Sequence, residues 1–457
     1  MKIKVPHTLL LLFFLMTAAL VLTWIVPSGE FQFEENAAGR EVAVPGTFEV
    51  FEEKTYLHPF ALFTVIPRAF ADAQGIIFFV LIIGGALAIV RETGAIDALL
   101  GKMVQTFGTQ PAPLLFLTMF AFSSASATLG MAEEYIPFAI LLVALCKAMR
   151  LDAVTAIGTM VIGYGIGYGV AIINPFTLLV AQDVAGLTPA SGMGFRLLLG
   201  VPLLAIGFHH VWSYASKIQR DPKKSLLYDQ NPDGVTESYE FPQFSRRHLL
   251  VLLITGAVLI LLILGIAYKG WYFVEMGALF LLLALMVGLV SENGVNHTAD
   301  TFGKGAAELT GTALLIGFAR SIALIMEEGE ILHTVVHSMA TPLSFAGAEI
   351  AATGMLFIQS MLNFFIPSGS GQALVTMPLM APLGDLAGVS RQVSVLAFQL
   401  GDGLMNMIVP TNPVLMGILG LASIPYDRWL KFIFPLIIKL LTVCAVALAL
   451  AVRTGYS

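Results

Sequence analysis

Charge is what this sequence has least of. Only 12% of its 457 residues are Asp, Glu, Lys or Arg, whereas soluble domains carry about 25%. With 57% of the chain hydrophobic, a water-soluble multidomain enzyme is excluded. Cysteine is nearly absent: Cys146 and Cys444 stand far apart in apolar runs. That spacing makes no thiolate metal motif, so no tightly bound metal is expected, and both read as small core hydrophobes. There is no Gly-rich loop ending in Gly-Lys-Ser/Thr and no His-Glu-x-x-His, so a nucleotide-driven pump and a zinc hydrolase both lack their residues. The serine clusters have no histidine or lysine beside them, which argues against an intramembrane nucleophile. The net charge of -6 is spread thinly and offers no nucleic-acid surface.

What fills the chain instead is apolar sequence, in several runs of about 18 residues or more, long enough to span a bilayer. Residues 1–4 are basic, and residues 28–54 carry Glu30, Glu34, Glu35, Glu41, Glu49, Glu52 and Glu53. Lysine and arginine collect on the cytoplasmic side of membrane proteins, so the N-terminus is expected inside and the acidic segment outside. The same rule makes residues 217–247 cytoplasmic, through Lys217, Arg220, Lys223, Lys224, Arg246 and Arg247, and puts the C-terminus outside. The first apolar run lacks a small-residue cleavage site and is closed by Trp24 and Pro27, so it reads as a retained helix. Residues 60–74 and 292–308 read as amphipathic. His209 and His210 read as interfacial anchors, and Glu327, Glu328 and Glu330 as a solvated face.

Four segments are apolar enough for lipid yet broken by polar residues, glycine and proline. Residues 111–147 and 342–385 read as re-entrant hairpins, the first with half-length arms. Residues 152–184 read as a helix broken by the run Gly163 to Gly169 and by Asn174-Pro175. Residues 391–421 read as a second broken helix, with Asp402 between two glycines and a break at Pro410 to Pro413. Lipid offers no partner for a freed amide or a lone carboxylate, so such segments are tolerated only around a protein-enclosed cavity. The order hairpin, Gly-x-Gly, Asn-Pro occurs twice. Gly163 and Gly165 match Gly401 and Gly403 at the offset that also matches Asn174 to Asn412. The expected fold is an all-α polytopic membrane protein of two inverted-topology repeats, residues 1–214 and 273–457. A cytoplasmic linker and connecting helix, residues 215–272, join them. The count is about nine full spans plus two hairpins.

These interruptions nominate the site. Ser368, Gly369, Ser370, Gly371 and Gln372 offer hydroxyls, an amide and exposed backbone N–H groups at the second hairpin tip. Ser123, Ser124, Ser126 and Thr128 take that role in the first half. Asn174, Thr177, Asn406, Thr411 and Asn412 lie at the helix breaks, where side chains bind substrate or replace lost backbone bonds. Asp402 is a buried carboxylate that needs a cation, a proton or a substrate ammonium. Glu133 and Glu134 follow the first tip, about 100° apart if helical, so one of them faces the cavity. Substrate contact is expected from Glu134, and coupling-ion contact from Glu133, Gly163, Ser370 and Asp402. Arg320 is an intramembrane arginine expected to pair with Asp402 or Glu133, or to meet a substrate carboxylate.

The strings FSSASATLGMAEEYIPF (122–138), NPFT (174–177), NFFIPSGSGQALVTMP (363–378), RQVSVLAFQLGDG (391–403) and IPYDRWLKF (424–432) carry a family resemblance. Over nearly its whole length the sequence resembles the YfcC-type branch of the C4-dicarboxylate carrier (DcuC-like) family, within the ion transporter superfamily. The resemblance implies a homodimeric carrier of the bacterial inner membrane, working as an elevator with no resident cofactor. Related dicarboxylate carriers have Ser-Asn-Thr at both tips; here they read Ser-Ala-Ser-Ala-Thr and Ser-Gly-Ser-Gly-Gln. The expectation is therefore a secondary transporter of a small metabolite, an amino acid and possibly a basic one, by antiport or with sodium or proton coupling. A C4-dicarboxylate or other small carboxylate is the alternative. A channel and a non-transporting receptor are the rivals from other classes.

Overall fold

The computed structural model describes the chain except for residues 1–7, 36–40, 45, 100–101, 103–110, 133–134, 175, 230–241, 270, 272, 292 and 457. Glu133, Glu134, the basic N-terminus and part of the linker therefore lie outside the described residues. The rest is nearly all helix, the form that satisfies backbone groups inside lipid.

The first half contains α1 (Thr8–Ile25), α2 (Ala61–Asp72), α3 (Gln74–Glu92), α4 (Pro111–Leu129), α5 (Ile136–Ala148), α6 (Ala153–Val170), α7 (Leu178–Val184) and α8 (Met193–Arg220). After α9 (Arg246–Lys269) come α10 (Phe273–Val290), α11 (Val295–Glu308), α12 (Thr310–Glu328), α13 (Leu332–Ala340), α14 (Ala348–Phe365), α15 (Gly369–Leu386), α16 (Arg391–Met405), α17 (Pro413–Leu421) and α18 (Tyr426–Arg453). Among the described residues, six helices are long and apolar enough to cross a membrane, or eight if α2–α3 and α11–α12, bent by 60° and 40°, each cross as one span.

Two of those six are α4 and α14, which corrects the reading of the first hairpin. Its outgoing arm is 19 residues long, about 28 Å at 1.5 Å per residue, so it is not half-length. The second correction concerns the glycines at 163 to 169. They do not break the helix: α6 runs through them, buried at every residue, and the chain breaks only after Val170. The glycines are contact points. A Cβ at Gly167 would stand 2.2 Å from the Ser123 carbonyl oxygen, and one at Gly403 would stand 2.2 Å from the Gly169 nitrogen. Helix α6 thereby seats directly on α4 and on α16.

Around this pair the packing follows a pattern. Helices α4 and α5 pack on α6, and α14 and α15 pack on α16; α7 touches α15, and α17 touches α5. Elsewhere α3 packs on α10 and α11, while α12 packs on α1 and α2 and meets α17. Cys146 and Cys444 are buried in the main core.

The acidic segment is more ordered than its composition suggests. Strand β1 (Gly29–Glu30) pairs antiparallel with β4 (Glu49–Val50), and β2 (Phe33–Glu35) with β3 (Glu41–Ala43). Phe31 buries itself against Val336, Leu362 and Leu379, and Phe48 stacks on His337 with ring centroids 4.3 Å apart. The glutamates expected to form a solvated face are all engaged. Glu327 bonds Arg320 at 3.1 Å, Glu328 bonds Arg68 at 2.7 Å, and Glu330 accepts from the Thr55 hydroxyl at 2.5 Å.

Because the atom facing Gly403 is backbone, it cannot move aside as a side chain would. Gly403→Ala is expected to destabilise by about 1–3 kcal/mol and to lower the melting temperature of the purified protein in detergent by several degrees. Gly194→Ala, whose Cβ would meet nothing within 4 Å, leaves it unchanged or slightly raised. Thermal scans followed by size exclusion compare the two.

Candidate substrate cavity

Helix α16 ends at Met405 and α17 starts at Pro413, so the carbonyls of Asn406, Met407 and Ile408 are met by side chains in place of helical partners. Asn412 caps α17, its Oδ1 accepting from the amides of Val414 (2.9 Å) and Leu415 (3.1 Å). Ser368 caps α15 in the same way, its Oγ accepting from the Gly371 amide at 3.3 Å. The first intrahelical bond of α15 runs from Gln372 N to Ser368 O (2.7 Å), which leaves the Gly369 and Ser370 amides ahead of it. Two helix N-termini, each a source of partial positive charge, therefore open into one space.

That space is a cavity of about 520 Å³. Eight of the residues nominated from sequence line it: Thr177, Asn406, Thr411, Asn412, Ser368, Gly369, Ser370 and Gly371. Among its described residues the first hairpin contributes Gly130 and Ala132. Ser126, Thr128 and Asn174 are occupied elsewhere. Ser126 bonds the Met131 carbonyl (2.8 Å), Thr128 bonds the Ser124 carbonyl (2.7 Å), and Asn174 donates to the Ser126 carbonyl (3.1 Å). Asn174 Oδ1 also accepts from Phe176 N and Thr177 N, capping the first break. Ser124 is half-buried on α4 and does not line the cavity. Gly163 lies inside α6, where a Cβ would stand 2.6 Å from the Met119 carbonyl oxygen, and it too is away from the cavity.

Gln372 and Asp402 lie just behind the lining, fully buried. Gln372 is held by Gln359, to whose side-chain and main-chain oxygens it donates at 2.7 and 2.9 Å. Asp402 Oδ1 accepts from Asn363 Nδ2 at 2.8 Å and from Asn406 Nδ2 at 3.4 Å. Among the described residues its Oδ2 has no hydrogen-bond partner, and neither has Asn363 Oδ1. A Cβ at Gly369 would stand 3.1 Å from Asp402 Oδ2, so the orphaned oxygen sits directly beneath the tip and glycine keeps that approach open. A buried carboxylate oxygen without a donor is costly, and a proton, a cation or an ammonium group meets the need.

Arg320 lines the cavity from α12. Among the described residues its partners are Asp72 and Glu327 and not Asp402, while Glu133, the other expected partner, lies outside them; the Arg320 side chain remains 29% exposed. Glu327 lines the cavity as well. Sequence reasoning passed over the aromatic walls, Tyr164, Tyr168, Phe176 and Phe365. The signal was present in the repeated Tyr of the glycine run, spaced four apart on one helix face. Tyr164 donates to the Asn406 carbonyl (3.0 Å) and Tyr168 to the Gly130 carbonyl (2.6 Å), so both brace backbone at the cavity edge.

Residues 5–453 match the family model of the C4-dicarboxylate anaerobic carrier, DcuC. A protein of Escherichia coli K12 named "Putative basic amino acid antiporter YfcC" is 35% identical over 93% of this chain and 92% of its own length. A second E. coli K12 protein, "Putative short-chain fatty acid transporter", is 24% identical over 50% of this chain and 53% of its own. Among solved structures, the Alcanivorax borkumensis YdaH transporter aligns with a TM-score of 0.42 at 17% identity, covering 98% of this chain and 99% of that one. With a family model matched from residue 5 to residue 453, and a relative alike along nearly its full length, this chain belongs to the DcuC family of C4-dicarboxylate anaerobic carriers.

Proposed function

We propose that this carrier is a secondary active transporter of an amino acid, bound as a zwitterion in the cavity between the broken helices. The observation that carries this reading is that the cavity presents groups suited to both signs of charge. Arg320 and the N-termini of α15 and α17 suit a carboxylate. Asp402 Oδ2, beneath Gly369, and Glu327 suit an ammonium group. A C4-dicarboxylate fits less well. Among the described lining residues Arg320 is the one cation, so the second carboxylate of such a substrate would meet no positive side chain. A basic amino acid adds a second cation toward the same acidic groups, in line with what the E. coli relative's name says of that protein.

Transport in this proposal follows an elevator scheme in two inverted repeats, residues 1–214 and 273–457, joined through 215–272. The exchanged packing supports it: α3 lies on α10 and α11, and α12 on α1 and α2, as partners related by a two-fold axis do. Helices α1–α3 and α10–α12 form the fixed body, and α4–α8 with α14–α18 the moving one. Arg320 and Glu327 then contact substrate from the fixed side. Asp402 and Ser370 take the coupling sodium ion or proton, and the functional unit is a homodimer in the bacterial inner membrane with its N-terminus in the cytoplasm.

Proteoliposomes preloaded with unlabelled solute test the substrate. Labelled arginine or a neutral amino acid is expected to exchange, with succinate inert; sodium-driven succinate uptake alone would overturn the zwitterion reading and leave the architecture standing. Arg320→Gln is expected to raise KM by about 10–100-fold, the equivalent of one charged hydrogen bond of about 1.5–3 kcal/mol. Asp402→Asn is expected to abolish coupling or amine recognition with an unchanged melting temperature. Wild-type flux and ion dependence in that variant would remove Asp402 from the mechanism. For the elevator, a cysteine at Ser368 in a background lacking Cys146 and Cys444 is expected to react with impermeant maleimide from either side, in proportions set by the substrate gradient. Labelling from one side under every gradient contradicts it.

A further inference from the structure

A second cavity, of about 330 Å³, lies between α8 and α18, away from the substrate cavity. It is lined by three lysines and two histidines: Lys217, Lys431, Lys439, His209 and His210. On α8, His210, Tyr214 and Lys217 follow each other at helical spacing; on α18, Lys431, Pro435 and Lys439 do the same. The two stripes therefore converge and do not fan out into solvent.

Little on the protein neutralises them. Asp427 holds Lys431 at 3.7 Å. Among the described residues Lys217 and Lys439 form no ion pair. The nearby buried acid, Asp152, has both oxygens occupied. Its Oδ1 accepts from Thr155 N (2.9 Å) and Thr155 Oγ1 (2.8 Å), and its Oδ2 from Tyr214 (2.6 Å) and Ser225 (2.7 Å). Lys439 is the telling residue. It is exposed, eight positions further along α18 than Lys431, about 12 Å deeper at 1.5 Å per residue. An exposed ammonium at such depth in a membrane-spanning helix is costly unless an anion and water reach it. The exposed residues between the two lysines are Phe434, Pro435 and Ile438, an apolar strip running beside the charges.

We infer that this cavity is a binding site for the phosphodiester headgroup of an anionic phospholipid, on the basic face of the protein. Lys217 and Lys439 grip the phosphate, Lys431 supports them, and the acyl chain lies along Phe434 and Ile438. Basic pockets between membrane helices on the cytoplasmic side suit such headgroups. The apolar strip favours a lipid over dissolved phosphate, which would gain nothing from it. The inference is independent of the transported substrate.

The test uses the purified full chain in phosphatidylcholine nanodiscs. Adding phosphatidylglycerol is expected to raise the melting temperature by several degrees in wild type and in Lys223→Gln, a lysine of the same face outside the cavity. The double variant Lys217→Gln/Lys439→Gln is expected to lose that rise. An equal rise in the double variant, or an equal rise with added phosphatidylcholine, overturns the site. A rise produced by millimolar inorganic phosphate alone, with none further from the lipid, assigns the pocket to free phosphate and overturns the lipid. Should the double variant fail to fold, photoreactive phosphatidylglycerol on wild type decides: label within residues 209–226 and 431–439 supports the site, and label spread evenly over the chain overturns it.

Discussion

Two helices stop in the middle of the protein, and the backbone groups they release must be satisfied without water. The structure meets this with side chains brought from other helices. At the second break, Tyr164 bonds the Asn406 carbonyl, Trp429 the Met407 carbonyl at 2.9 Å, and Tyr426 the Ile408 carbonyl at 2.6 Å. Thr411 reaches across to the Phe364 carbonyl at 2.7 Å, tying the break to the hairpin. At the first break, the Ile172 and Ile173 amides both donate to the Ala127 carbonyl, at 2.7 and 3.1 Å. An unpaired buried backbone group costs about 1–3 kcal/mol, so the cavity can stay open only because its walls are satisfied from behind. The glycine contacts of α6 serve the same end, since they let α4 and α16 approach closely enough for these bonds to form.

The two hairpin tips differ in how they use their polar atoms. The first is closed on itself. Ser126, Thr128, Asn174 and Tyr168 bond its backbone, and among its described residues Gly130 and Ala132 reach the cavity. The second presents Ser368 to Gly371 directly, with two amides free of helical bonds. Among the described residues the polar lining from the tips is thus one-sided, while the broken helices line the cavity from both halves through Thr177, Asn406, Thr411 and Asn412. The cavity presents both signs of charge: Arg320 and Glu327 approach from α12 as an ion pair, and Asp402 sits beneath the tip of α15.

Low charge, long apolar runs and the duplicated Asn-Pro were legible in the sequence because the bilayer acts on every residue separately: each polar group must be excluded, paired or functional. That is why the helix breaks at Asn174 and Asn412 and eight lining residues could be named before any coordinates. The glycine run misled because a Gly-rich stretch reads as a helix breaker when judged by propensity alone. In α6 each glycine instead faces another helix, and close packing outweighs the propensity cost. Sequence determined which residues are too polar for lipid. Tertiary structure decided which of them face the cavity, which only hold backbone, and that Arg320 pairs with Asp72, because partners 248 residues apart are chosen by helix packing and not by spacing along the chain.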